Sequence, residues 1–202
     1  MSINAPAIYY EAANKILTGL GAPVTASNLN LLVAWMGLEN GWNSSLSCHN
    51  PFNTTWKLNG SKTVNAKGVQ CYPDWATGVQ ATINTLTQQS PSYATLVNAL
   101  KNGDPNQFFS EAGRQELSVW SGGTPGYAST IHQIYTELGT PPASAMQSAL
   151  ATNSITQDLA NFFNLKEFPL NNVKTVKQAL GLAVIAGVVL ALIWAGGDDL
   201  GL

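Results

Sequence analysis

Twenty consecutive residues near the C-terminus, QALGLAVIAGVVLALIWAGG from Gln178 to Gly197, carry no charge. At a rise of about 1.5 Å per residue, a helix of that length spans the ~30 Å hydrocarbon core of a bilayer. Lys174 and Lys177 precede the run and Asp198 and Asp199 follow it. Trp194 sits near one end, where indole rings favour the lipid–water interface. The run reads as a transmembrane helix over 173–197 with a short acidic tail at 198–202, which makes a lipid membrane an expected partner. A buried apolar helix in a large assembly is the competing reading. The two flanking lysines are a small positive-inside signal that would hold the preceding chain on the cytoplasmic side. At the other end, MSINAPAIYYEAANKIL has no basic start, no long apolar stretch and no small-residue cleavage site, so no signal peptide is expected.

The rest of the chain is poor in charge. Lys and Arg number 9, Asp and Glu 11, and charged residues make up 10% of the sequence, against roughly 25% in ordinary soluble proteins. With one arginine, Arg114, and a net charge of -2, the chain lacks the basic footprint that phosphate backbones need. No nucleic-acid partner is expected. Apolar residues at 45% and aromatics at 9% supply a core and argue against disorder. Polarity comes from Asn, Gln, Ser and Thr, 61 of 202 residues, which suits a hydroxyl-rich ligand.

Periodicity and punctuation divide residues 1–140 into helices around one β excursion. Ile8, Ala12, Ile16 and Leu20 recur at helical spacing between Pro6 and the glycines Gly19 and Gly21. Residues 26–40 form a second helix, with Leu32, Trp35, Glu39 and Trp42 on one stripe and Gly41 as terminator. From Asn50 to Pro73 turn signals such as Asn59-Gly60 alternate with Val64, Val69 and Tyr72, which predicts a small hairpin lobe. Asp74, Ser92 and Asp104-Pro105 then read as three helix starts, and a further helix runs from about Thr124 to Leu138. The expected fold class is α+β, mostly α: a helical domain over 1–140 with a β-hairpin lobe, a helical linker or packing arm over 141–172, and the apolar C-terminal helix.

Between Leu31 and Tyr93 there are only two carboxylates, Glu39 and Asp74. Glu39 lies on the Trp35–Trp42 stripe at the end of a core helix. Burial against indole rings disfavours the ionised form, as a general acid working near neutrality requires. The bland alternative is an exposed Glu at a helix C-terminus, where the dipole disfavours it. Asp74 reads as a helix N-cap before it reads as a second catalytic acid. Cys48, His49, Cys71 and His132 lack metal-ligand spacing, so neither a metal nor a cofactor is expected. Cys48 and Cys71 bracket the lobe and are a candidate disulfide, a pairing that residue spacing leaves open.

Glu39-Asn40-Gly41-Trp42, then His49-Asn50-Pro51-Phe52-Asn53-Thr54-Thr55-Trp56, then Tyr72-Pro73-Asp74-Trp75 running into Gly78 and Ala81-Thr82, resemble in order and spacing the lysozyme-like glucosaminidase and transglycosylase modules of phage and bacterial cell-wall proteins. The similarity continues through YATLVNALKNG and WSGGTPGYA and covers about residues 26–135. It implies a lysozyme-like fold with Glu39 as catalytic acid. By the same resemblance Thr54 is a catalytic candidate, holding water or orienting the sugar, and Asn53, Thr55, Trp56, Tyr72, Trp75 and Tyr127 are substrate-binding candidates. Trp120 could also stack on sugar. Each has a structural alternative: strand residues for the threonines, core packing for the aromatics.

The expected function is cleavage of the β-1,4 bond between N-acetylmuramic acid and N-acetylglucosamine in bacterial peptidoglycan, by a glycosidase or a lytic transglycosylase. A second acid, as the two-carboxylate plan requires, is missing between Glu39 and Asp74, which favours single-Glu chemistry. The expected setting is a virion-associated, membrane-anchored protein that opens the wall locally during phage entry, with other virion proteins as possible partners. Two alternatives stay open: an inactive lysozyme-fold structural or wall-binding virion protein, and a membrane-active injection protein.

Overall fold

Pro6 sets the backbone for the first helix, α1 (Ala7–Leu20), and Gly21, left-handed at φ 65°, closes it. The expected stripe is there: Ala12, Ile16 and Leu20 are buried, joined by Tyr9, Ala13 and Leu17. Gly19, expected as a terminator, lies inside the helix, because a Cβ at that position would collide with Ile83 of a later helix. The missing side chain lets the two helices cross closely. The computed structural model describes residues 3–89 and 92–145, all in one unit that spans Met1–Asn153.

Thr25 accepts the amide of Asn28 and opens α2 (Ala26–Asn40). Every residue from Asn28 to Gly37 is buried, the pattern of a helix enclosed on all sides. At its core Trp35 meets Phe52 and Trp120 edge-on at 4.8 Å each and Phe108 at 5.9 Å, the favoured geometry for aromatic pairs.

Beyond α2 the chain enters the small lobe, two short antiparallel strands, β1 (Lys62–Thr63) and β2 (Gln70–Cys71), with Lys62 opposite Cys71 and Thr63 opposite Gln70. The hairpin turn falls at 65–68 and not at Asn59-Gly60, which bends the chain just before β1. Asn65 decides this. Its side-chain carbonyl accepts the amides of Lys67 and Val69 at 3.0 and 3.1 Å, and Gly68 takes up φ 86°. Cys48 and Cys71 form a disulfide, Cα–Cα 4.4 Å, tying the loop after α2 to β2.

Asp74 caps α3 (Trp75–Gln88) by accepting the Thr77 amide at 2.7 Å. That bond holds the Asp74 carboxyl below its ordinary pKa and settles the residue as a cap. Gly78, in the first turn, faces the His49 carbonyl so closely that any Cβ would overlap it. The next helix, α4 (Ala94–Asn102), is not capped by Ser92. Tyr93 occupies the cap position without a side-chain bond, and the Glu116 carboxylate accepts the amides of Thr95 and Leu96 at 2.9 Å each. Asp104-Pro105 starts α5 (Pro105–Phe108), which ends after four residues. Ser110 caps a separate helix, α6 (Glu111–Trp120). Gly122, Gly123 and Gly126, all at positive φ, carry the chain round to α7 (Tyr127–Glu137), a later start than Thr124.

The described residues are thus mostly helical with one two-stranded sheet. No helix among the described residues is long and apolar enough to cross a membrane. The expected membrane span 173–197, the tail 198–202 and all but the first residues of the 141–172 arm lie outside the described residues.

Burial raises the hydroxyl pKa of Tyr9, Tyr10, Tyr72, Tyr93 and Tyr127 above the ordinary 10.0. The unfolded chain releases these protons at lower pH than the folded one, so their contribution is intact below the unfolded value and is lost as pH rises above it. The melting midpoint should fall as pH rises above about 10. Thermal melts with an unchanged midpoint up to strongly alkaline pH would contradict this.

Candidate active site

Glu39 stands one residue before the end of α2, where Gly41 turns left-handed at φ 57° and releases the chain towards the lobe. Its half-buried carboxyl faces a cleft of about 700 Å³ between the α2 end, the hairpin and the α6–α7 connection. Three side chains aim donors at it. Trp120 Nε1–H donates to Oε1 at 3.0 Å, the Tyr127 hydroxyl donates to the same oxygen, and Asn53 Nδ2 lies 3.4 Å from Oε2. Asn53 also donates to the Glu39 backbone carbonyl at 2.8 Å and adopts φ 50°, a conformation Asn tolerates better than most residues. Behind Tyr127, Trp35 Nε1–H donates to its hydroxyl oxygen at 2.9 Å. Burial first, and the neighbouring Glu39 second, push the Tyr127 pKa far above the ordinary phenol range. Tyr127 therefore keeps its proton and remains a donor.

The expected stripe does not survive past Gly41. Trp42, at φ 61°, folds back onto Gly37 and packs 5.5 Å from Tyr9. Trp120, far along the chain, takes the place beside the acid, and it offers its N–H edge where a bare ring face was expected.

Six of the residues singled out in the sequence share the cleft: Glu39, Asn53, Thr54, Thr55, Trp120 and Tyr127. Thr54 is buried there with its hydroxyl engaged, 3.2 Å from Asn50 Oδ1 and 2.9 Å from the Tyr72 hydroxyl. Thr55 is exposed on the wall. Trp56, Tyr72 and Trp75 do not line the cleft. Tyr72 is buried beneath the lobe and donates to the Trp56 carbonyl at 2.7 Å, and Trp75 packs edge-on to His49 at 5.3 Å. Trp120, the other aromatic expected to stack on sugar, does line the cleft; it and Tyr93, 5.3 Å apart, form the aromatic walls together with Phe52.

The hairpin contributes Asn65 and Lys67, which the sequence reading missed; the only local signal was the turn composition Asn65-Ala66-Lys67-Gly68. Among the described residues Glu39 and Lys67 are the two charged ones lining the cleft. Among the described residues no cluster of His, Cys, Asp and Glu could hold a metal ion.

Comparison with protein-family models, with curated proteins and with solved structures found no match to this chain.

Proposed function

We propose that the chain is a lysozyme-like muralytic enzyme that cleaves the β-1,4 bond between N-acetylmuramic acid and N-acetylglucosamine in peptidoglycan, with Glu39 as general acid and then base. One observation carries this reading: among the described residues Glu39 is the only carboxylate lining the cleft, and Trp120, Tyr127 and Asn53 converge on it. A positioned acid is what departure of a glycosidic oxygen requires. The aromatic walls and the Asn, Thr and Ser lining suit a sugar chain, whose faces are apolar and whose edges are hydroxyls.

The same observation favours transglycosylation over hydrolysis. Among the described residues the lining holds no second acid, and the Thr54 hydroxyl is committed to Asn50 and Tyr72. In this mechanism Glu39 gives its proton to the glycosidic oxygen as the C1–O bond breaks. The carboxylate then accepts the proton of the sugar's own 6-hydroxyl as O6 bonds to C1, leaving a 1,6-anhydro end and a restored Glu39. Mass spectrometry of digested peptidoglycan in ¹⁸O-water should show 1,6-anhydro ends without solvent oxygen. Reducing ends carrying ¹⁸O would replace this mechanism with hydrolysis, and an undigested substrate would leave a wall-binding or structural role in its place.

The setting we propose is a virion-associated protein held to a lipid membrane through residues 173–197, supported by that uncharged run and by the resemblance to phage cell-wall modules.

A further inference from the structure

Among the described residues Lys67 is the one cation lining the cleft and Glu39 the one anion, and the hairpin that carries Lys67 is held in place. Asn65 holds the amide of Lys67 itself and that of Val69. Gln70 Nε2 donates to the Gly68 carbonyl at 2.6 Å and to Thr63 Oγ1 at 2.9 Å, and Val64 N–H donates to the Val69 carbonyl at 2.8 Å. The Lys67 backbone is thereby fixed on the hairpin wall, and the side chain is exposed beside the cleft. The acidic groups nearest in sequence, Glu39 and Asp74, are both accounted for: Glu39 by Trp120, Tyr127 and Asn53, Asp74 by the Thr77 amide. An ammonium carried by a wall residue of a charge-poor groove attracts an anion carried by whatever lies in the groove.

We propose that Lys67 is a specificity-determining residue that selects β-1,4 glycans bearing a carboxylate over neutral ones of the same backbone. This rests on the glycan-cleaving reading above. Peptidoglycan offers such a carboxylate in one of two places, the 3-O-lactyl group of a muramic sugar free of peptide, or the peptide stem where that lactyl group is amidated by it. Chitin-type chains of N-acetylglucosamine offer none.

Equilibrium binding separates this proposal from turnover. Titrations at low salt compare three ligands: a chito-oligosaccharide, a peptide-free muramyl glycan with its lactyl carboxylate free, and a stem-bearing muramyl glycan of equal sugar length. Wild type should bind at least one acidic glycan about threefold to fivefold more tightly than the neutral chain, the scale of one exposed ion pair. The ratio should shrink as salt screens the charge. The acidic ligand that shows the preference identifies the source of the carboxylate. In Lys67→Met the ratio should fall to near unity, in Lys67→Glu below unity, and Lys67→Arg should restore it. A wild-type ratio of one, or a ratio that persists in Lys67→Met, overturns the proposal while leaving the glycosidase reading intact. Failure to bind any of the three glycans overturns both.

Discussion

Glu39→Gln should stop the clearing of peptidoglycan in a zymogram, with turnover lower by a factor on the order of 10²–10⁴, the usual contribution of a positioned acid–base group. Gln keeps the shape of Glu and its Oε1 still accepts from Trp120 Nε1 and the Tyr127 hydroxyl, so the fold and its melting midpoint should change little. Loss of activity without loss of structure isolates proton transfer as the missing function. Tyr127→Phe is the contrasting variant. It removes one donor to Glu39 and leaves Trp35 Nε1–H without its acceptor, so kcat should fall more than KM rises, and by less than in Glu39→Gln. Equal clearing by wild type and Glu39→Gln would remove Glu39 from the chemistry and the glycosidase reading with it.

The second large effect concerns the lobe. Closing the 23-residue separation between Cys48 and Cys71 restricts the unfolded chain by an amount worth about 3 kcal/mol. The hairpin it anchors has two residues in each strand, too little pairing to persist alone. Cys48→Ser with Cys71→Ser should therefore lower the free energy of unfolding in urea by about 3 kcal/mol. Reduction of the wild type should do the same. Activity should fall alongside stability, because Asn65 and Lys67 ride on that hairpin. A double variant within about 0.5 kcal/mol of wild type, an ordinary surface-substitution effect, would mean that packing alone holds the lobe.

Local chemistry made part of this protein readable in advance. Asp74 announces α3 because an Asp before an apolar helical stretch has one obvious task. Asp104-Pro105 announces α5 in the same way, and Glu39 stood out because a run of 63 positions, Leu31 to Tyr93, held so few acids. Features set by distant partners were unreadable. Trp42 shares the helical spacing of Glu39, yet Gly41 ends the helix between them, and nothing near either residue points to Trp120, 81 positions away. Tyr72 looks like a cleft residue by its polar end, but that end pairs with Thr54 and Trp56 inside the lobe, and Thr54, which does line the cleft, has its hydroxyl taken up by Asn50 and Tyr72. The break between α5 and α6 rests on Ser110, which competes as a cap with continuation of a plausible single helix.

Glu116 closes the start of α4 from a helix that begins seventeen positions after α4 does. Until α6 has formed and docked, α4 has two orphan amides and no side chain of its own to satisfy them. Docking of α6 therefore stabilises the first turn of α4. In hydrogen exchange the amides of Thr95 and Leu96 should report the undocking of α6 from α4.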